Sequence, residues 1–307
     1  MLETAGRDYD FILVQEPYID FKATTRTNAH YVTVYPPRHR DAHNETPTRA
    51  VILVNRRIDT NAWTEIAIDW PDITAIELKT EIGKIRIFNI YNSCLHNETL
   101  DKLSAYMEAG ENRPREGERI HYVWAGDFNR HHPLWDEPRN FHLFTNRNLE
   151  MAQTLLDLIA RHRMKMALPE MLPTLRAMAT GNLTRVDNVF VSDTLLDSVV
   201  KCNTRPADAP PRTDHFPIEL DLDVTARRAA GEPRHNYKKV IWEDFKKVLG
   251  ARLERLPPPQ KICTRRELEE KAKMLEATID GAVGEKIPLQ RPCPHSKRWW
   301  TPELRRM

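Results

Sequence analysis

No stretch of this sequence approaches the roughly 20 consecutive apolar residues that cross a bilayer. The opening MLETAGRDYDFILVQEPYID also lacks the basic, apolar and small-residue order of a secretory signal. Both absences point to an intracellular protein without a membrane partner. Cysteine is sparse: Cys94, Cys202, Cys263 and Cys293 stand far apart with no CxxC pair, which argues against a zinc centre or disulfide framework and for reduced thiols. Without secretion the sequons at Asn44, Asn97 and Asn182 lose their meaning, and Asn97 reads instead as a helix N-cap. There is no GxGxxG segment, no internal repeat and no low-complexity tract, so a parallel dinucleotide-binding sheet and a repeat array both fit poorly.

What remains is a 307-residue chain, 40% hydrophobic, long enough to bury a substantial core. Its net charge of +2 conceals an asymmetry: from Arg227 to the end, 20 Lys and Arg face 11 Asp and Glu, leaving 26 against 33 upstream. Two regions with different partners are expected, 1–225 and a basic tail, 226–307.

Residues 1–225 carry branched, strand-like runs at 11–15, 31–35, 50–54, 64–68, 73–79, 84–91, 120–126, 185–191 and 216–222. Helical spacing is confined to the segment after Asn97, with Leu100, Leu103 and Met107 on one face, and to 147–162. Many strands with few helices predict an α/β sandwich of two packed sheets with helices outside. In the tail, LPPPQ (256–260) separates two helices. The second opens on a Thr264–Glu267 capping box and repeats apolar residues at Leu268, Ala272, Leu275 and Ile279, a stripe narrow enough to need a partner.

The segment WAGDFNRHHPLWD (124–136) draws attention to metal or acid chemistry. Adjacent histidines point in different directions and suit one ion poorly, so His131 and His132 read as loop residues, one near nucleic acid and the other bonded to backbone. Trp135 reads as the anchor beneath them. The polar residues at strand ends are more informative: Gln15-Glu16-Pro17, Asp127-Phe128-Asn129, Asp187-Asn188 and Thr213-Asp214-His215. A strand delivers its terminal side chain to a fixed point, which suits catalysis. Carboxylates so gathered suit hard ions such as Mg2+ or Mn2+, and hence phosphate chemistry.

Glu16 in QEP, Tyr91 in NIY, Asp127 and Asn129 in GDFN, Asp187 in TRVDNVF, and Asp214-His215 in TDHFPI occur in the order of motifs of the endonuclease/exonuclease/phosphatase superfamily. Over residues 8–222 the sequence most resembles the apurinic-endonuclease-like domain of non-LTR, LINE-like retrotransposons. The resemblance implies a DNase I-like, four-layered α/β sandwich and a Mg2+- or Mn2+-dependent endonuclease that nicks DNA in the nucleus. It implies metal binding by Glu16 and Asp214, water activation by Asp127, and water or phosphate binding by Asn129. His215 would contact phosphate with Asp187 as its partner, and Tyr91 would offer its hydroxyl to a phosphate oxygen. Arg130, His131, Arg185, Asn188 and Thr213 are expected against nucleic acid.

In the tail, NYKKVIWEDFKKVL (236–249) and KRWWTPELRRM (297–307) resemble the link to a reverse transcriptase. Its basic residues with Trp299 and Trp300 either grip DNA or RNA or pack on another domain. One departure stands out: only fifteen residues precede Glu16, with no counterpart of the asparagine-bearing strand that the family places upstream, so a chain short of its first strand is expected. Two alternatives follow: a catalytically impaired remnant that only binds nucleic acid, and a repair-type apurinic endonuclease or other phosphoesterase.

Overall fold

The computed structural model describes residues 9–39, 47–211, 213–227, 233–258, 260–262 and 264–290. They fall in two compact units, Met1–Arg228 and Ala229–Met307.

The first unit is built on a six-stranded sheet in the order β4 (Trp63–Ile66), β5 (Ile73–Thr80), β6 (Gly83–Tyr91), β7 (Ile120–Asp127), β11 (Asp187–Ser192) and β8 (Met164–Met166). β6 and β7 run parallel, and the chain between them forms α1 (Glu98–Glu108), the crossover that a parallel pair requires. α2 (Asn146–Arg161), capped by the Thr145 hydroxyl accepting from the Asn148 amide, joins α1 on the same face. There Phe88, Ile90, Trp124 and Phe190 pack with Leu100, Leu103, Leu155 and Leu158. Each such fully buried side chain contributes about 2 kcal/mol.

The opposite face follows the strand repeat of two. Ile85, Ile87, Val123, Val189 and Val191 meet Val34, Ile52 and Val54 from a three-stranded sheet. That sheet has the order β1 (Phe11–Gln15), β3 (Ala50–Asn55), β2 (Tyr31–Val34). Central β3, AVILVN, is buried at every position, which explains its unbroken apolar run. Buried Asn89 ties the sheets together: its amide donates to the carbonyls of Val14 at 3.0 Å and Val51 at 2.8 Å, and its oxygen accepts from Gln15.

The smaller pairs are β9 (Leu175–Arg176) with β10 (Leu183–Thr184), and β12 (Val199–Thr204) with β13 (Ile218–Leu222). Among the described residues β1 pairs only with β3 and β13 only with β12. The Tyr9 hydroxyl reaches Glu219 of β13 at 3.1 Å. The two packed sheets are the α/β sandwich read from the sequence, and among the described residues the α-helices of this unit lie on the six-stranded sheet. Asn97 does precede α1, but its side chain makes no cap. It reaches Thr154 of α2 at 2.9 Å and accepts from Arg130.

The second unit pairs α3 (Trp242–Leu253) with α4 (Arg265–Lys286), whose Thr264–Glu267 capping box is formed. Arg252 holds Glu285 at 3.0 Å, and β14 (Arg234–His235) pairs with β15 (Leu289–Gln290). Leu268, Leu275 and Ile279 stay 39–52% exposed, so the stripe finds no full cover within the described residues. The 297–307 motif with Trp299 and Trp300 lies outside them. Among the described residues no helix is long and apolar enough to cross a membrane.

Candidate active site

Strand register assembles the centre. Tyr91 is the parallel neighbour of Asp127, and Asp127 stands opposite Asp187. All three continue the alternation that points Ile87, Val123 and Val189 toward the smaller sheet, so they line up at one end of the seam between sheets. Gly126 makes the close pairing possible. It adopts φ +144, and a Cβ there would lie 2.0 Å from the Ile90 carbonyl oxygen, a contact no side chain tolerates.

His215 comes from the loop before β13. Backbone bonds from Phe216 to Thr174 at 2.7 Å and from Arg176 to Asp214 at 2.8 Å pin that loop to β9. The buried Thr174 hydroxyl also accepts from the amides of Val186 and Asp187, at 3.2 and 3.1 Å, fixing the start of β11 against the same loop. The His215 Nδ1–H then donates to Asp187 at 2.9 Å. Single ligand atoms of Asp127, Asp187 and His215 all lie within 4.8 Å of one another, close enough to hold a metal ion. Glu16 and Asp214 fall outside this group.

Electrostatics follow from the geometry. Asp127 is 6% exposed. Burial first, and then the charge of Asp187, push its carboxyl up to about 7. Burial works against a charged His215, but the hydrogen bond to Asp187 and the neighbouring carboxylates outweigh it and raise the imidazole to about 9. At neutral pH the centre therefore presents an imidazolium bound to Asp187 beside a second carboxylate that can take or give a proton.

Asn129 sits in the left-handed region at φ 49 and folds back on this carboxylate. Its backbone N–H donates to Asp127 at 3.0 Å and its amide at 2.8 Å, while Asn92 O takes the other amide proton at 2.9 Å. The Cys94 thiol donates to the Asn129 oxygen at 3.0 Å, completing its bonds. Asn129 is thus a holder of Asp127, where the sequence suggested a holder of water or phosphate.

Glu16 follows β1 at φ 48, a departure from extended backbone of the kind that gathers at functional sites. It lies near Tyr91, whose hydroxyl is pushed up to about 12 by burial first and then by the Glu16 charge. The charge of Glu16 also raises Asp127, which places it within electrostatic reach of the acid pair.

Sequence reasoning missed Arg49. Its guanidinium lies 4.5 Å from the Tyr91 ring centroid and makes two bonds, of 2.8 and 2.5 Å, to fully buried Asp72. Its carbonyl accepts the Glu16 amide at 2.9 Å. Arg49 and Asp72 each precede a strand and lie 23 residues apart, so only the contact of the two sheets reveals the pair.

Three expected contacts, Arg130, Arg185 and Asn188, are corrected by burial. Arg130, 2% exposed, spends its guanidinium on Ser93 O at 2.9 Å, His96 O at 2.7 Å and Asn97, bracing the loop beneath the site. Arg185 and Asn188 are 0% exposed and bond each other at 2.7 Å. The Thr213 hydroxyl accepts from the His215 amide at 3.2 Å, a turn contact. His131 is partly exposed, stacked on Phe144 with ring centroids 5.9 Å apart, and 3.7 Å from Asp136. His132 Nδ1 accepts the Leu134 amide at 3.1 Å, and fully buried Trp135 donates to Arg130 O at 3.1 Å. Asp214 stays half-exposed with an oxygen 3.9 Å from His215 Nε2.

An acid pair with an imidazolium thus stands at one end of two packed sheets, an arrangement suited to acid–base chemistry. A family described as endonuclease-reverse transcriptase matches residues 85–219. Comparison with curated proteins gives no match. The endonuclease domain of TRAS1, a telomere-specific non-LTR retrotransposon, shares 16% identity at a TM-score of 0.53, over 72% of this chain and 89% of that one. The AP endonuclease LMAP from Leishmania major shares 15% at 0.54, over 72% and 80%. The 3′ phosphatase NExo from Neisseria, bound to a product DNA hairpin, shares 14% at 0.51, over 72% and 93%. At these identities the structural likeness is one of fold. Over residues 85–219 the chain is similar to that family, and over most of its length it shares the fold of these nucleases.

Proposed function

We propose that the chain is a divalent-metal-dependent endonuclease that nicks duplex DNA, derived from a non-LTR retrotransposon, with residues 226–307 as the basic link to a reverse transcriptase and the nucleus as its place of action. The observation that carries this reading is the side-by-side register of Tyr91, Asp127 and Asp187 with His215 bonded to Asp187. A donor set made mostly of carboxylate oxygens fits a hard cation, Mg2+ or Mn2+. Glu16 and Asp214 would hold it, and when bound it supplies positive charge against the phosphate and the leaving oxygen.

The protein's own groups do the rest. Asp127, oriented by Asn129, accepts a proton from water as the water oxygen bonds to phosphorus and the P–O3′ bond breaks. His215, kept charged by Asp187, donates to a phosphate oxygen and offsets the charge that builds there. Tyr91, its hydroxyl protonated throughout the working range, donates to a second oxygen.

Incubation of supercoiled plasmid with the full chain and Mg2+ tests the reading. Nicked circles are expected from the wild type and not from Asp127→Ala or His215→Ala. No nicking, or equal nicking by all three, overturns it. Parallel assays on an abasic duplex and on a phosphoinositide separate a repair-type enzyme or another phosphoesterase from the proposed one.

A further inference from the structure

The loop directly after Glu16 has an unusual build. Phe21 is 89% exposed and Tyr18 65% exposed, yet the backbone that carries them is tightly fixed. The Asp20 carboxylate accepts from the amides of Lys22 and Thr24, both at 2.9 Å, and from the Thr24 hydroxyl. Asp20 and Thr24 close the turn through backbone at 2.9 Å, and Ile19 bridges Thr25. Ala23, buried at φ 55, gives its carbonyl to His39 at 2.8 Å, and His39 stacks on Tyr35 at 4.1 Å. The Tyr35 hydroxyl in turn accepts the Thr25 amide at 2.8 Å.

A loop held this firmly and still turning two aromatic rings outward gains nothing for the fold from those rings. Each has a cation beside it: Lys22 Nζ lies 5.5 Å from the Phe21 centroid, and Arg26 Cζ 5.4 Å from that of Tyr18. The one acid of the loop, Asp20, is consumed by the turn, so the loop offers solvent π-faces and positive charge. That combination matches a nucleic-acid strand, whose bases stack on aromatic rings while its phosphates meet Lys and Arg. Tyr18 is two residues from Glu16, which joins this loop along the chain to the acid centre.

Resting on the nuclease reading, we infer that Phe21 and Tyr18 form a base-stacking platform, with Lys22 and Arg26 as its phosphate contacts, and that it seats bases beside the scissile phosphate. The loop then favours DNA whose bases are already unstacked at that point, since opening the stack of an intact duplex costs a few kcal/mol.

The test uses the full chain and a fluorescein-labelled duplex, intact or with a single-stranded gap, and reads affinity by anisotropy in EDTA so that cleavage is not needed. Phe21→Ala and Tyr18→Ala should each weaken binding to the gapped duplex by about tenfold, the scale of one base–aromatic stack. Phe21→Trp should restore binding and Phe21→Leu should not, with thermal unfolding unchanged in all. Wild-type affinity in both alanine variants overturns the platform. So does unchanged DNA binding with lost binding to phosphatidylserine vesicles, which would assign the loop to a lipid surface. If the affinities fall as expected but Asp127→Ala nicks plasmid as well as the wild type, the nuclease reading fails and the platform stands. A wild type that binds no DNA sinks both.

Discussion

Asp127 and Asp187 stand directly opposite each other on antiparallel strands, nine-tenths buried or more, with one imidazolium to balance them. Two carboxylates pressed together out of water are a stability liability that only an electrophilic ligand, a proton or a phosphate-bound cation, relieves.

In the metal-free chain, stability should fall as pH rises from 4 to 9. The Asp127 carboxyl is raised from 3.8 to about 7, so between those values the native state binds the proton that the unfolded state has released, and each pH step upward destabilises it. The His215 imidazole is raised from 6.5 to about 9, so its contribution is whole below 6.5 and lost as pH climbs through 9. Urea midpoints in EDTA across this range check the slope. Asp127→Asn should flatten the lower part and His215→Gln the upper, and added Mg2+ should restore stability near pH 8.

Asp127→Asn should also separate stability from activity. The amide keeps the shape and removes the buried charge, so the metal-free variant should be more stable than the wild type at pH 8. Nicking, having lost its proton acceptor, should drop by about 10²- to 10⁴-fold. A variant that is both slower and less stable would contradict the repulsion argued for the acid pair.

Gly126→Ala should be among the most damaging small substitutions. The added methyl would overlap the Ile90 carbonyl and force β6 and β7 apart, at a cost of about 1–3 kcal/mol or more. Because Tyr91 and Asp127 ride on those strands, nicking should fall further than stability alone explains, measured at a temperature where the variant is fully folded.

Arg49→Ala leaves Asp72 buried without its guanidinium. A loss of about 2 kcal/mol is expected, below the roughly 3–5 kcal/mol of a fully buried broken pair because Arg49 itself is partly solvated. Arg49→Ala with Asp72→Leu should recover much of the unfolding midpoint without recovering nicking, since the ring of Tyr91 would still lack the cation that holds it. Full recovery of both would make Arg49 merely structural.

Maleimide should modify Cys94, which is exposed beside Asn129, and spare Cys202, which is buried with its thiol pushed up to about 12. Peptide mapping by mass spectrometry would locate the adduct, and nicking should fall with Cys94 occupancy because the bulky group pushes Asn129 off Asp127. Cys94→Ser, which keeps a donor, should nick as the wild type does and resist inhibition at this position.

The strands that bear the site were legible because each branched run ends on or gives way to an acid or aromatic residue: 11–15, 84–91 and 120–126 all form within a residue or two of their expected bounds. β12, VVKCNT, escaped because its period is weak and its pairing with β13 is supplied only by the fold. The same limit explains the arginines. Arg130 and Arg185 sit in motif-rich segments and carry the charge that nucleic acid attracts, yet each is buried among carbonyl oxygens that no local pattern announces. Arg49 has the opposite history, a residue without a motif that the meeting of two sheets sets against Tyr91.

β6 and β7 run parallel, so they cannot zip together from a tight turn as β5 and β6 can. The ribbon of β4, β5 and β6 is local in sequence, whereas Tyr91 meets Asp127 only after the chain through α1 has looped back, and Asp187 and His215 arrive from farther still. Non-local closures of this kind are slow. During refolding, amide protection in the ribbon should therefore appear before protection in β11, and nicking should lag both, so that a chain caught midway is half-folded but chemically silent.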